Sequence, residues 1–145
     1  MKILTTFILM LFMAKGCTNS EIKKESEKIS FEYEANTRGS YKKALVKQDT
    51  IFTIKTRGGL PVQGSLSKSD WNSLLTLLSK VDVTKIRELK APSDKRAYDG
   101  AMMAELKVIY KDKTYESSTF DHGNPPAEIK DLVNKIIEVS ALDKK

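Results

Sequence analysis

The chain has 145 residues, with 25 Lys and Arg against 19 Asp and Glu, one His and one Cys, and a formal charge of +6. Its 40% apolar and 30% charged residues are ordinary for a soluble globular domain, and the basic excess permits attraction to anionic head groups or acidic partners without requiring it. A lone cysteine excludes an internal disulfide, and lysines scattered among acids, without interleaved aromatics, argue against nucleic acid as a partner.

Lys2 opens a leader whose residues 3–14 are apolar except for Thr5 and Thr6. As a helix this run would reach roughly 18 Å, short of the ~30 Å hydrocarbon core, so residues 1–16 read as an export signal and not as a membrane span. Removing 16 of 145 residues leaves 145 − 16 = 129, enough for one domain with its own core. Residues 18–28 hold a single apolar side chain, Ile22, and are expected to form, with Cys17, a flexible tether over 17–28.

The globular domain is expected over 29–140. Phe31, Tyr33 and Ala35 alternate with Glu32, Glu34 and Asn36, which predicts a half-buried strand. A turn at 37–40 leads to a second strand over 41–47, and Gln48-Asp49 reverses the chain into a third over 50–56. Gly58, Gly59, Pro61 and Gly64 break the pattern. Ser67 and Asp70 stand in capping-box spacing before Trp71, Leu74, Leu75 and Leu78, the stripe of a helix ending near Val81. Residues 82–100 read as a long loop, with Val83, Ile86 and Leu89 able to make one short helical turn. Strands follow over 102–110 and 114–120, joined by a tight turn at 111–113. A connector at 121–126, with Asn124 as the expected cap, opens a helix whose buried stripe is Ile129, Leu132, Val133 and Ile136. The order β-β-β-α-loop-β-β-α predicts a single α+β domain: an antiparallel sheet of about five strands with two helices packed on one face. Residues 141–145 are expected to be a disordered tail.

Ala14-Lys15-Gly16-Cys17 resembles the lipobox of bacterial lipoproteins, Leu-Ala/Ser-Gly/Ala-Cys; Gly16 and Ala14 fit and Lys15 departs from the pattern. The resemblance implies cleavage before Cys17 by signal peptidase II. Acyl chains on the Cys17 sulfur and new amino group would then make a stable membrane anchor. Thr18 is not the aspartate that retains such proteins at the inner membrane of enteric bacteria. Glu21, Glu25 and Glu27 are interrupted by Lys23 and Lys24, unlike the acidic cluster that marks surface export in related bacteria. The implied location is therefore the outer membrane, facing the periplasm.

Candidate chemistry in the domain is sparse. His122 is the single histidine; a catalytic reading pairs it with Ser117 or Ser118 and with Asp121 or Asp99, but no Gly-x-Ser-x-Gly elbow or second histidine supports it. Asp94, Asp99, Asp121 and His122 offer too few nitrogen or sulfur donors for a zinc site and no calcium-loop spacing, so no metal or other cofactor is expected. Lys85, Arg87, Lys90, Lys95 and Arg96 make the long loop a candidate partner surface. The segments 37–41, 89–93, 99–101 and 119–123 (Thr-Arg-Gly-Ser-Tyr, Leu-Lys-Ala-Pro-Ser, Asp-Gly-Ala and Thr-Phe-Asp-His-Gly) resemble those of small flavobacterial lipoproteins, over 31–139. That resemblance implies an envelope location and no particular reaction. Because binding residues concentrate on loops, a site is expected where Arg38, Arg96, Asp99, Asp121 and His122 converge. The functional expectation is a non-enzymatic, lipid-anchored binding or accessory domain contacting an envelope protein or an anionic envelope component. The alternatives are an inhibitor of a secreted or periplasmic enzyme and, behind it, a small hydrolase using His122.

Overall fold

Alternating side chains organise the molecule around one antiparallel sheet. The computed structural model describes residues 19–145, with side chains from Glu21 onward; the leader, the lipobox-like motif and Cys17 lie outside the described residues. The strands are β1 (Ser30–Asn36), β2 (Tyr41–Val46), β3 (Thr50–Ile54), β4 (Val62–Ser65), β5 (Met103–Tyr110), β6 (Lys113–Glu116) and β7 (Phe120–Asp121). They lie in the order β4-β3-β2-β1-β5-β6, with β7 also pairing β5. The helices are α1 (Asn19–Lys24), α2 (Lys68–Ser79) and α3 (Lys130–Ser140). The class is α+β, as the element order predicts, with two more strands than expected.

Period-two burial gives the sheet its two faces. Phe31, Tyr33, Ala35, Ala44, Val46, Ala104, Leu106 and Val108 are fully buried, under the stripes of α2 and α3. The opposite face carries Glu32, Glu34, Lys43, Glu105, Lys107 and Glu116 in a ladder of ion pairs, Lys43–Glu32 at 2.7 Å and Lys107–Glu116 at 3.3 Å among them. The Ser67 hydroxyl accepts the Asp70 N–H at 3.1 Å, so α2 starts where the capping spacing places it. Lys135 of α3 pairs with Asp70 of α2 at 2.9 Å.

Both extra strands have physical causes. β4 falls in the segment 57–64 expected as a break, yet it pairs β3 from Thr53↔Val62 to Thr50↔Ser65. All four of its residues are exposed, so an edge strand without a buried side leaves no apolar period to detect. The expected strand over 114–120 splits in two. Lys107 faces Glu116 while Ala104 faces Phe120, so three steps along β5 match four on its partner, which is a β-bulge. Ser117 absorbs it: its Oγ accepts the Leu106 N–H at 3.0 Å, and its own N–H donates to the Leu106 carbonyl at 2.8 Å.

Two segments expected to be unstructured pack on the domain. Within the expected tether, α1 forms and Ile22 is buried to 1% exposure in the main core, a correction to the reading of 17–28. The expected tail also docks. Ala141 takes a left-handed φ of 48°, with Ala141 N–H bonded to Glu138 O and Leu142 N–H to Ile137 O, the two bonds of a Schellman motif. That turn drives Leu142 into the core at 1% exposure and sets Asp143 beside β2. The segment 82–100 is not a plain loop either: 3-10 turns run over Val83–Glu88 and Lys95–Tyr98, the first burying Val83 and Ile86.

Candidate functional site

Asp121, the last residue of β7, and His122, which follows it, point to different neighbourhoods. The Asp121 carboxylate, 2% exposed, accepts hydrogen bonds from the Ser93 hydroxyl at 2.5 Å, the Lys95 N–H at 2.9 Å, the Arg96 N–H at 3.0 Å and the Arg96 Nη1 at 3.1 Å. It therefore supplies from another element the cap that the turn Lys95–Tyr98 lacks locally. Burial works against its charge, but the bonds from Ser93, the Arg96 backbone and guanidinium and the Lys95 backbone outweigh it and hold the carboxyl down at about 2. Arg96 is turned inward, donating also to the Ser93 carbonyl at 2.7 Å and to Thr119 Oγ1 at 3.4 Å. The Asn124 side-chain amide donates to Ser93 Oγ at 2.8 Å; it does not cap α3, whose N-cap position is Ile129.

His122 turns to the opposite side and joins a separate chain of bonds. Its Nδ1 lies 2.8 Å from the Tyr33 hydroxyl and its Nε2 2.9 Å from Asp143 Oδ1, which also receives the Lys42 ammonium at 2.7 Å. A carboxylate only accepts, so Nε2 carries a proton; in the neutral ring Nδ1 then accepts from Tyr33. Burial, then the nearby Asp143 charge, push the Tyr33 phenol well above its usual range. Burial opposes the Asp143 charge, but the bond from Lys42 and the charge and bond of His122 prevail and lower its carboxyl. The chain Tyr33–His122–Asp143–Lys42 fastens the C-terminal segment across β1, β7 and β2.

The five residues expected to converge are divided among different places. Arg96 and Asp121 form one bonded unit, and His122 belongs to the neighbouring chain. Among the described residues, no hydrogen bond or ion pair joins Asp99 or Arg38 to either. Asp99 has a left-handed φ of 60°, a conformation Asp tolerates better than most residues, and ends the turn Lys95–Tyr98. Arg38 sits exposed at the tip of the β1–β2 turn and lines a different cleft. The catalytic pairing is not assembled: Ser117 Oγ accepts from Leu106, and Ser118 Oγ donates to the Arg87 carbonyl. Lys85, Arg87, Lys90 and Lys95 remain exposed as expected of a partner surface, and Lys90, Pro92, Arg96 and Thr119 line an open depression of about 440 Å³.

Sequence reasoning missed Tyr33, Lys42, Ser93 and Asp143. The signal for Tyr33 is chemical, since a phenol on a fully buried strand face needs a partner for its hydroxyl. For Asp143 it is Leu142, one apolar residue just past a helix end, the hydrophobic contact of a Schellman turn. Among the described residues, no group of three or more His, Cys, Asp or Glu side chains is placed to hold a metal ion. Comparison with protein-family models, with curated proteins and with solved structures found no match.

Proposed function

We propose that this chain is a non-enzymatic, lipid-anchored binding domain of the bacterial cell envelope, attached through Cys17 to the outer membrane and facing the periplasm. The leader and the lipobox-like motif support the anchor. One observation carries the choice of binding over catalysis: both ring nitrogens of His122 are engaged by Tyr33 and Asp143, and Tyr33 is fully buried. The acid–base groups nearest one another thus bond to the fold itself, and the phenol on His122 Nδ1 is closed to solvent. No helix among the described residues is long and apolar enough to cross a membrane, so in this reading attachment falls to the cysteine.

Helix α1 changes what the anchor does. Asn19 follows Cys17 by two residues, so the lipid would hold the folded unit within about 7 Å of chain instead of the ~36 Å that a free tether over 18–28 would allow. The domain then rides close on the bilayer. Replacing Cys17 by Ser should move the protein from the membrane to the soluble fraction and abolish incorporation of a labelled fatty acid. A C17S protein that stays in washed membranes with its label intact overturns the anchor. Crosslinking in native membranes tests the binding role, which fails if no specific neighbour is captured.

A further inference from the structure

The ladder between β2 and β3 stops early. Pairing of β1 with β2 continues to Asn36↔Tyr41, whereas pairing of β2 with β3 ends at Lys43↔Ile54. β3 ends at that point, and the chain that continues through Lys55 and Arg57 bounds, with Tyr41 and Lys42, a cleft of about 290 Å³, just under the range of small-ligand sites at about 300–1,000 Å³. Arg38, Lys42, Lys55 and Arg57 line it together with Tyr41, and no acidic residue does. Such a concentration of one charge inside a concavity focuses an attractive field for anions.

The cations are set in place by bonds that leave donors unused. Thr37 Oγ1 accepts the N–H groups of Gly39 at 3.3 Å and Ser40 at 3.1 Å, fixing the turn that carries Arg38. Arg57 follows Thr56 in a second turn, closed by Gly59 N–H to Thr56 O at 3.0 Å with Gly58 at a φ of 72°. Its Nη2 donates to the Thr37 carbonyl at 2.8 Å, linking the two turns, and its guanidinium lies 5.6 Å from the centre of the Tyr41 ring. Lys55 donates to the Lys144 carbonyl at 2.6 Å and Lys42 to Asp143 at 2.7 Å, each using one of three ammonium donors. Two acids bond to the group from outside the lining: Asp143 takes Lys42, and Glu34 accepts the Tyr41 hydroxyl at 3.3 Å. Among the described residues Arg38 has no hydrogen bond or ion pair, so its planar fork is free for a bidentate contact.

We propose that this cleft binds the phosphate group of a phosphate ester, with Arg38 and Arg57 gripping the oxygens and Lys42 and Lys55 supplying the surrounding field. Guanidinium forks match phosphate geometry, and the cleft holds the phosphate with part of its polar ester body. This assignment rests on the binding-domain reading and names its ligand chemistry. A free sugar phosphate and an anionic lipid headgroup share that chemistry.

The test titrates the full chain with glucose 6-phosphate, following the backbone amides of residues 38–42 and 55–57 by NMR. In parallel, the chain is sedimented with phosphatidylcholine vesicles containing phosphatidylglycerol. Saturable shifts in those amides place a soluble ester in the cleft, and a gain in vesicle binding that depends on phosphatidylglycerol and on Arg38, without such shifts, places a lipid headgroup there. In either arm, R38Q should weaken binding about tenfold without lowering the melting temperature, since Arg38 bonds nothing in the fold, and R57Q should weaken it as well. Glucose must leave the amides unmoved, and R38Q must not change retention on pure phosphatidylcholine vesicles, which hold the chain through its anchor alone. If neither arm shows binding, or binding is unchanged in R38Q, the cleft assignment is overturned. Membrane crosslinking that still captures a partner would then leave the binding-domain reading standing.

Discussion

Replacing Asp121 by Asn tests whether one buried carboxylate holds the segment 89–100 onto the sheet. Asparagine copies the shape of the protonated acid, so the substitution costs roughly what protonating Asp121 costs. A fall from 3.8 to about 2 corresponds to about 2 kcal/mol of preference for the ionised form, at ~1.4 kcal/mol per tenfold change. No discount for solvent screening applies, because the side chain is 2% exposed and every donor to it is fixed by the fold. Since the folded-state value lies below the unfolded one, the contribution is complete above the unfolded value of 3.8 and disappears as pH falls through about 2. The cost of D121N, measured as the difference in urea unfolding free energy from the unaltered protein, should be about 2 kcal/mol at pH 6, about 1 at pH 3 and less than about 1 at pH 2. Taking the difference between the two proteins cancels the titration of Asp143 and the remaining acids. Hydrogen exchange should speed up at the Lys95 and Arg96 amides, which lose their acceptor. A cost below about 0.5 kcal/mol at pH 6, or one equal at pH 6 and pH 3, would refute the assignment of Asp121 as an ionised pin.

Two further substitutions probe the chain ends. I22A should destabilise the protein by about 2–5 kcal/mol in chemical denaturation, the usual cost of emptying a buried Ile site, whereas an unpacked tether predicts no change. A141G should stabilise by about 0.5–1 kcal/mol and raise the melting temperature by roughly 2–5 °C, because glycine takes the left-handed φ of 48° without the Cβ clash; an unchanged or lower melting temperature counts against the Schellman turn as the device that docks Leu142.

The parts of this fold legible in the sequence are those where one residue's environment repeats with the period of its own element. β1, β2 and β5 show period-two burial, and α2 and α3 carry the stripes Trp71-Leu74-Leu75-Leu78 and Leu132-Val133-Ile136, which are buried as the spacing requires. What escaped depends on partners far along the chain. Ile22 is a single apolar residue in a polar run, and it orders α1 because a core already exists for it to enter. Asp121 and Ser93 stand 28 residues apart and meet only after the bulge at Ser117 has shifted the register that aims β7. No local pattern encodes an added residue in a ladder, so neither the cap on the turn Lys95–Tyr98 nor the opposite aims of Asp121 and His122 follow from spacing.

The same distinction divides the five residues expected to act, three of which bond within the fold while Arg38 bonds none of the described residues. Asp121, His122 and Arg96 draw notice in a sequence because they are ionisable, and they prove to be ionisable groups with internal partners. Their hydrogen-bonding capacity goes to ordering 89–100 and the C-terminal segment, and a buried polar group whose bonds are satisfied within the fold is poorly placed to exchange them for a ligand. Arg38 is the opposite case. The turn beneath it is held by Thr37, its neighbours Lys42, Lys55 and Arg57 are fixed by bonds to Asp143, Lys144 and Thr37, and its own guanidinium bonds none of the described residues. A cation whose donors face water, carried on a fixed turn at the rim of a cleft lined by no acid, can exchange that water for an arriving anion as the satisfied groups cannot. Docking of the C-terminal segment matters to that cleft as well, since Asp143 and Lys144 position two of its four cations; the Schellman turn at Ala141 is therefore part of how the cleft is built.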